Sequence, residues 1–371
     1  MTVHHVLDPD LGASGATLAL GGALTALGTQ VEFYGFDTAF GASPHYGPAH
    51  GLLFPWKLAA FLRKHGREFD AIDASTGDTW AWLSFGRTGG KGRQAVITRS
   101  HGLEHLADRD LRARAERGEA KLSWKYPLYN GGLRLWEVER SIALADHLIV
   151  ASNDDLMFAQ QHFKIPPSRV SVVPHGIAAA IAESELSPSS ERSSLNVAFI
   201  GSWIERKGID TLIAASTTLV ATKLVAAFYL LGTGVAEDRV RAAFPPEVRA
   251  AVHVVPRFIN ADLPKLTRDC DVLLQLSSSE GFSLALIEGM ACGLVPVTTP
   301  VGVATTAIVD GENGLIVPVR DAPALVVALQ RLASDPPSRD RMRTNAKATS
   351  RQYTWREAAL KTVAVYEQAI S

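Results

Sequence analysis

Two glutamates with seven residues between them, Glu280 and Glu288, stand in the run Ser278-Ser279-Glu280-Gly281-Phe282-Ser283-Leu284-Ala285-Leu286-Ile287-Glu288-Gly289-Met290-Ala291-Cys292-Gly293. Ser283 is a good helix N-cap type and Gly293 a good stop, which predicts a helix of about nine residues between them. The first amides of such a helix, around Phe282–Leu284, have no partner within it and carry the positive end of its dipole. They suit a phosphate or sugar oxygens. Glu280 falls just ahead of the helix, at the mouth of a cleft, and Glu288 about a turn and a half inside it. The helix is apolar on nearly every side except at Glu288, and a carboxylate there costs free energy unless hydrogen bonds satisfy it. A vicinal diol, such as the 2′ and 3′ hydroxyls of a ribose, supplies two donors; an internal Lys or Arg is the alternative partner.

The elements that would position these groups are short β-branched runs separated by segments of helical period. Strands are expected at Val3–Leu7, Val31–Gly35, Ala71–Ala74, Ala95–Arg99, His147–Ala151 and Val170–Pro174. In the second half they fall at Val197–Gly201, Val225–Gly232, Val252–Pro256, Val272–Leu276, Val295–Thr298 and Leu315–Val317. Most lack polar alternation, as strands covered on both faces do. Alternating β and α elements imply parallel, doubly wound sheets, and two such sets imply two Rossmann-like domains. The pair Glu280/Glu288 then lies at the carboxyl end of a parallel strand, where ligands bind in these folds. Residues 183–194 hold one apolar side chain and read as the linker between a first domain (1–182 with 354–371) and a second (195–353). The terminal helix carries Trp355, Ala359, Val363, Tyr366 and Ile370 on one face, a stripe that predicts docking back on the first domain.

Composition narrows the classes. The chain has 371 residues, and at roughly 150 per domain two or three domains are expected. Lys and Arg number 37 against 38 Asp and Glu, a balance that disfavours a nucleic-acid partner. Cys270 and Cys292 are too few for a disulfide framework and read as reduced core thiols of a cytoplasmic protein. Asp8 and Asp10 before the mildly apolar Thr17–Leu27 stretch are unlike a secretory signal. The stretch Arg109–Arg140 interleaves eight basic and five acidic residues with Trp124, Tyr126, Tyr129 and Trp136. It reads as a solvated helical face followed by packed aromatics, with an acceptor or peripheral membrane-surface patch as the second reading.

The sixteen-residue block, with a strand before it and Val295-Pro296-Val297-Thr298-Thr299 after, resembles the E-x7-E motif of retaining glycosyltransferases, in particular glycosyltransferase family 4 (glycosyl transferases group 1). The resemblance continues through Asp310-Gly311-Glu312-Asn313-Gly314-Leu315-Ile316-Val317 and back to Gly201 with Arg206-Lys207-Gly208. It covers nearly all of Asn196–Ile370 and is diffuse over the first half. It implies a GT-B fold: two Rossmann-like domains facing across a cleft, with a C-terminal helix crossing back to the first.

The resemblance further implies that Lys207 binds the diphosphate of a nucleotide sugar, with Arg206 beside it near Gly201. Glu288 would hold the ribose, Glu280 the hydroxyls of the transferred sugar, and the amides of Gly281, Phe282, Ser283 and Leu284 sugar and phosphate. In Ser100-His101-Gly102 it implies a histidine approaching the donor sugar; a histidine satisfied at a strand end is the alternative. Gly12-Ala13-Ser14-Gly15 opens a helix after the first strand and looks like the family's flexible glycine loop under the acceptor, with a plain strand-to-helix turn as the alternative; it lacks the third glycine of a dinucleotide fingerprint. Relatives often carry Arg where this chain has Ser202, and a second glycine and an acid after the position of Gly302, where this chain has Val303-Ala304-Thr305-Thr306.

The implied reaction moves a hexose with retention from a UDP-, GDP- or ADP-sugar to a hydroxyl of a glycan, glycolipid or small molecule, by a front-face course. It uses no further cofactor and no metal. Asp8-Pro9-Asp10, Asp108-Arg109-Asp110 and Asp269-Cys270-Asp271 each fit the D-x-D pattern of metal-dependent transferases and read as structural. A nucleotide-sugar epimerase of similar build, or a sugar-nucleotide-binding module without turnover, are the alternatives.

Overall fold

The computed structural model describes residues 1–9, 12–43, 45–87, 94–186 and 194–371. Two compact units result, one of Met1–Gly176 with Trp355–Ser371 and one of Ile177–Thr354. Among the described residues no helix is long and apolar enough to cross a membrane.

In the first unit β1 (Ala71–Ser75), β2 (Ala95–Arg99), β3 (His147–Val150) and β4 (Val170–Val172) form a parallel sheet in that order. Every residue of β2 and β3 is buried, and each carries a run of three apolar residues, Ala95–Ile97 and Leu148–Val150, rather than an alternating pattern. The strands expected at Val3–Leu7 and Val31–Gly35 are not regular strands. They pair through the parallel bridge Thr2–Tyr34 and single bonds such as Val3 N to Tyr34 O, 3.2 Å, beside β1. The pairing runs on to Phe36, whose N donates to His5 O at 2.9 Å, and the helix Phe36–Phe40 starts there.

The helix Trp355–Ile370 belongs to this unit and packs on the helix Gly12–Ala26 and on β2, as its apolar stripe predicts. The buried positions are Ala358, Ala359, Thr362 and Val365; Ile370, expected on that face, is 52% exposed because the last turn overshoots the core. A buried ion pair latches the helix. Arg99 at the end of β2 donates to Asp73 Oδ2 at 2.6 Å and to Thr362 Oγ1 at 3.2 Å, and Tyr366 donates to Asp73 at 2.6 Å. Burial alone would raise the Asp73 carboxyl, but Arg99 and these bonds hold it below its ordinary value. Removing either charge of such a pair costs about 3–5 kcal/mol, since the other is left buried and alone.

In the second unit β5 (Leu195–Ile200), β6 (Val225–Leu231), β7 (Val252–Val255), β8 (Val272–Gln275), β9 (Val295–Thr298) and β10 (Leu315–Ile316) form one parallel sheet. Its order, β10-β9-β8-β5-β6-β7, places the reversal of strand order between β5 and β8. The carboxyl ends of those two strands are where a doubly wound sheet offers a binding site. Residues 177–186 pack in this unit rather than in the first domain or a free linker: Ile181 is buried, and Lys347 donates to the carbonyls of Ser184 and Ala291. The rest of the expected linker, 187–193, lies outside the described residues.

Candidate active site

At the end of β5 the chain turns at Gly201, whose φ of +144° is closed to most side chains. Residues Glu205–Lys207 then form a single 3-10 turn, and Gly208 opens the helix Ile209–Ala221. Gly208 combines a φ of +76° with a close approach: a Cβ there would stand 2.1 Å from the Leu276 carbonyl. Only glycine lets this turn press against the end of β8, and that contact brings Lys207 to Glu280. The two loops are stitched by Ser278 N donating to Arg206 O at 2.9 Å and Arg206 Nη1 donating to Ser279 O at 2.6 Å.

Glu280 is the hub. Its Oε1 accepts from Lys207 Nζ at 2.6 Å, Ser277 Oγ at 2.7 Å and Gln275 Nε2 at 3.3 Å, and Arg206 Nη1 lies 3.5 Å from Oε2. The pair is secluded, with the Lys207 side chain 15% and the Glu280 side chain 8% exposed. Burial alone would raise the Glu280 carboxyl; Lys207, Arg206 and the hydrogen bonds from Lys207 and Ser277 outweigh it and hold the group below its ordinary value. Glu280, expected at an open mouth, is thus enclosed by the cations expected for a diphosphate. Ser277 and Gln275 join the site without having been singled out in the sequence.

The helix Leu284–Ala291 follows as expected, but Ser283 does not cap it. Its backbone is left-handed, φ +75° and ψ 78°, and from there the hydroxyl reaches no helix amide. Ser283 Oγ is instead buried with no hydrogen-bond partner, which leaves a polar atom and the first helix amides to be satisfied by something else. Phe282 turns its ring inward against Tyr353, 5.8 Å between centroids, and its carbonyl accepts from Val303 N at 3.1 Å. Glu288 lies buried farther along the helix and accepts from Asn260 Nδ2 at 3.0 Å, so its partner is an amide rather than Lys or Arg. Burial raises its carboxyl, opposed by that one bond. Asn260 carries no motif of its own, and only its place opposite Glu288 marks it.

Gly201, Arg206, Lys207 and Glu280 to Leu284 therefore cluster at the switch point of the second sheet, with Glu288 on the same helix. His101 and Gly12 to Gly15 lie in the first unit. Gly12–Gly15 open the helix Gly12–Ala26 as its first turn. Thr17 of that helix donates its hydroxyl proton to Ala13 O at 2.9 Å, so it accepts from His101 Nε2 at 3.3 Å, and His101 Nδ1 in turn accepts from His175 Nε2 at 3.3 Å. Burial, with the neighbouring charge of Arg99, pushes His101 down to about 4. The imidazole is neutral at physiological pH.

Two aspartates of the D-x-D patterns serve the scaffold. Asp108 accepts from Arg112 and Tyr126, and Asp271 accepts from Asn196 N at 2.8 Å. Asp10 lies outside the described residues. Both cysteines are buried and neither forms a disulfide, and burial pushes Cys292 up to about 11. In the basic–aromatic stretch Trp124 is 77% exposed, with Lys125 over its ring at 5.4 Å, so these aromatics are not all packed.

A model of the glycosyl transferases group 1 matches residues 186–349, and one of Glycosyltransferase Family 4 matches residues 12–180. Together they take in nearly the whole chain, which belongs to glycosyltransferase family 4, and its two parallel-sheet units are those of the GT-B fold. The chain is 27% identical over 252 residues to D-inositol 3-phosphate glycosyltransferase of Kribbella flavida, covering 64% of this chain and 59% of that protein. The matched stretches span about half to three-fifths of the length of the curated relatives. Among solved structures, sucrose-phosphate synthase from Thermosynechococcus elongatus aligns with a TM-score of 0.77 at 20% identity over 99% of this chain and 98% of that one. HepE of Anabaena, in complex with UDP and glucose, aligns with a TM-score of 0.68 at 18% identity over 99% and 98%.

Proposed function

We propose that the chain transfers a hexose from a nucleoside-diphosphate sugar to an acceptor hydroxyl, with retention at the anomeric carbon. The observation that carries this reading is the convergence of Lys207 and Arg206 on one enclosed carboxylate at the switch point, next to an unpartnered Ser283 hydroxyl and a helix start. Two cations and free amides in a water-poor site stabilise the charge that grows on a departing diphosphate. Glu288, buried with a single amide partner, is the acceptor for a ribose diol. The UDP and glucose held by the Anabaena neighbour favour the same class of donor. Glu280 is engaged by Lys207, Ser277 and Gln275, and a carboxylate so committed is a poor covalent nucleophile. That supports a front-face course in which the leaving oxygen helps take the acceptor proton. The first unit, with neutral His101, receives the acceptor. Exposed Trp124 and Leu128 beside Lys121 and Lys125 support contact with an anionic membrane surface, and hence a lipid-linked acceptor.

The test is a panel of UDP-, GDP- and ADP-sugars. One class should stabilise the protein by about 2.7 kcal/mol at ~100 times its dissociation constant. With acceptor, nucleoside diphosphate and a glycoside of the donor's anomeric configuration should appear. Stabilisation by none of the panel, an isomerised donor without glycoside, or binding without turnover each overturns the proposal; an inverted product overturns retention.

A further inference from the structure

Three helices of the first unit bring together side chains that the transfer reaction leaves unused. His105 stands on the helix Glu104–Glu116, Glu139 on Arg134–Leu144, and His162 at the end of Asn153–His162. His105 Nε2 lies 3.1 Å and His162 Nε2 3.8 Å from the same carboxylate oxygen, Glu139 Oε1, and all three atoms fall within 4.8 Å of one another. We propose that this His105–Glu139–His162 cluster is a binding site for a divalent transition-metal ion such as Zn2+ or Co2+, joining the three helices.

The spacing fits. Donors held about 2.0–2.1 Å from a tetrahedral ion stand about 3.3–3.4 Å apart, so closing the cluster on an ion needs shifts of a few tenths of an ångström at its two measured edges. The donor set fits as well: two imidazoles and one carboxylate select borderline first-row ions, whereas Ca2+ and Mg2+ take oxygen cages.

The rings are already fixed. His162 stacks on Phe158 with centroids 4.9 Å apart, and Phe163 meets His105 edge-on at 4.9 Å. Glu139 and His162 are half-exposed, which leaves a route for the ion and room for water as a fourth ligand. His105 Nδ1 is buried with no partner. Its proton would lack an acceptor in the loaded site, so affinity is set below that of sites whose ligand histidines are hydrogen-bonded on the far side.

Co2+ alone, titrated into the full chain, should give visible absorption that saturates at one ion per chain and is displaced by Zn2+. His162→Ala and Glu139→Gln alter half-exposed groups and keep the fold testable where His105→Ala would empty a buried site. Each should weaken Zn2+ binding at least about tenfold, with the circular dichroism of the wild type. Absence of a saturable one-to-one Co2+ signal, or wild-type Zn2+ affinity in both variants, overturns the proposal.

Discussion

Lys207→Ala tests the site at its hub. The substitution leaves Glu280 buried and ionised with Ser277 and Gln275 still donating and Arg206 at 3.5 Å. Removing one partner of a buried ion pair costs about 3–5 kcal/mol. Those remaining contacts and the 15% exposure of Lys207 reduce this, and we expect about 2–3 kcal/mol. The double variant Lys207→Met, Glu280→Gln removes both charges while keeping volume, and should return to within about 1 kcal/mol of wild type. Wild type, Lys207→Met, Glu280→Gln and the double variant form a cycle read by urea unfolding, using the transition that moves when nucleoside diphosphate is added. Its coupling should exceed about 1.5 kcal/mol; a value under ~0.5 kcal/mol means the two residues act independently and the pair is not what holds the loops together. Activity supplies the second arm. If Lys207 also bears the diphosphate's charge, Lys207→Ala loses about a hundredfold or more in kcat at saturating donor. Near-wild-type turnover would refute that role even if the stability cycle comes out as expected.

Glu288→Gln should weaken nucleoside diphosphate binding by about 10–100-fold, the worth of a charged hydrogen-bond acceptor, while the unliganded protein unfolds no more easily than wild type; calorimetric titration and urea unfolding read the two effects. Ser283→Gly relieves a left-handed backbone and deletes an unpartnered hydroxyl, so it should gain about 1 kcal/mol of stability and lose donor affinity, and a variant that gains stability but keeps affinity would show that the hydroxyl has no ligand. His101 remains neutral until about pH 4 when folded, while the unfolded imidazole takes its proton near 6.5, so the residue makes folding progressively less favourable as pH falls through that window. Histidine NMR should show no protonation of His101 between pH 5 and 8, where an unperturbed imidazole would titrate near 6.5. Glu280 acts the same way lower down: its stabilisation is complete above the unfolded carboxylate value of 4.5 and is lost as pH falls through its lower folded value, and Glu280→Gln should flatten the acid limb of a stability profile.

Much of the fold was written in burial. The central strands β2, β3 and β8 are buried throughout, so each carries three consecutive apolar residues and their limits could be read within a residue or two. The segments after Thr2 and around Tyr34 were overextended, because β-branched residues mark burial there while regular pairing is limited to a few bonds. The helix after Ser283 was legible from its composition, but the left-handed turn at Ser283 was not: serine is the usual cap, and nothing local reports a positive φ. Contacts between distant residues left no trace either. Lys207 and Glu280, 73 residues apart, read as separate contacts to a donor rather than to each other, and nothing in the sequence couples His105 to Glu139, 34 residues on. Tyr366, expected only as part of an apolar stripe, reaches across 293 residues to Asp73.

The two glutamates that began this reading end in opposite electrostatic states, although eight positions apart and both buried. Glu280 is held ionised by two cations and two neutral donors; Glu288 faces one amide and is raised by burial. Groups driven apart in this way commonly divide the labour of a site. A carboxylate whose donors are already in place gains little from further hydrogen bonds, so Glu280 chiefly fixes Lys207 and Arg206 in position. Glu288 is under-supplied, and any ligand bringing two hydroxyl donors relieves its desolvation and favours the charged form. The energy available for binding therefore sits at Glu288, the rigidity that aims the cations sits at Glu280, and exchanging either residue for an uncharged one removes a different half of the site.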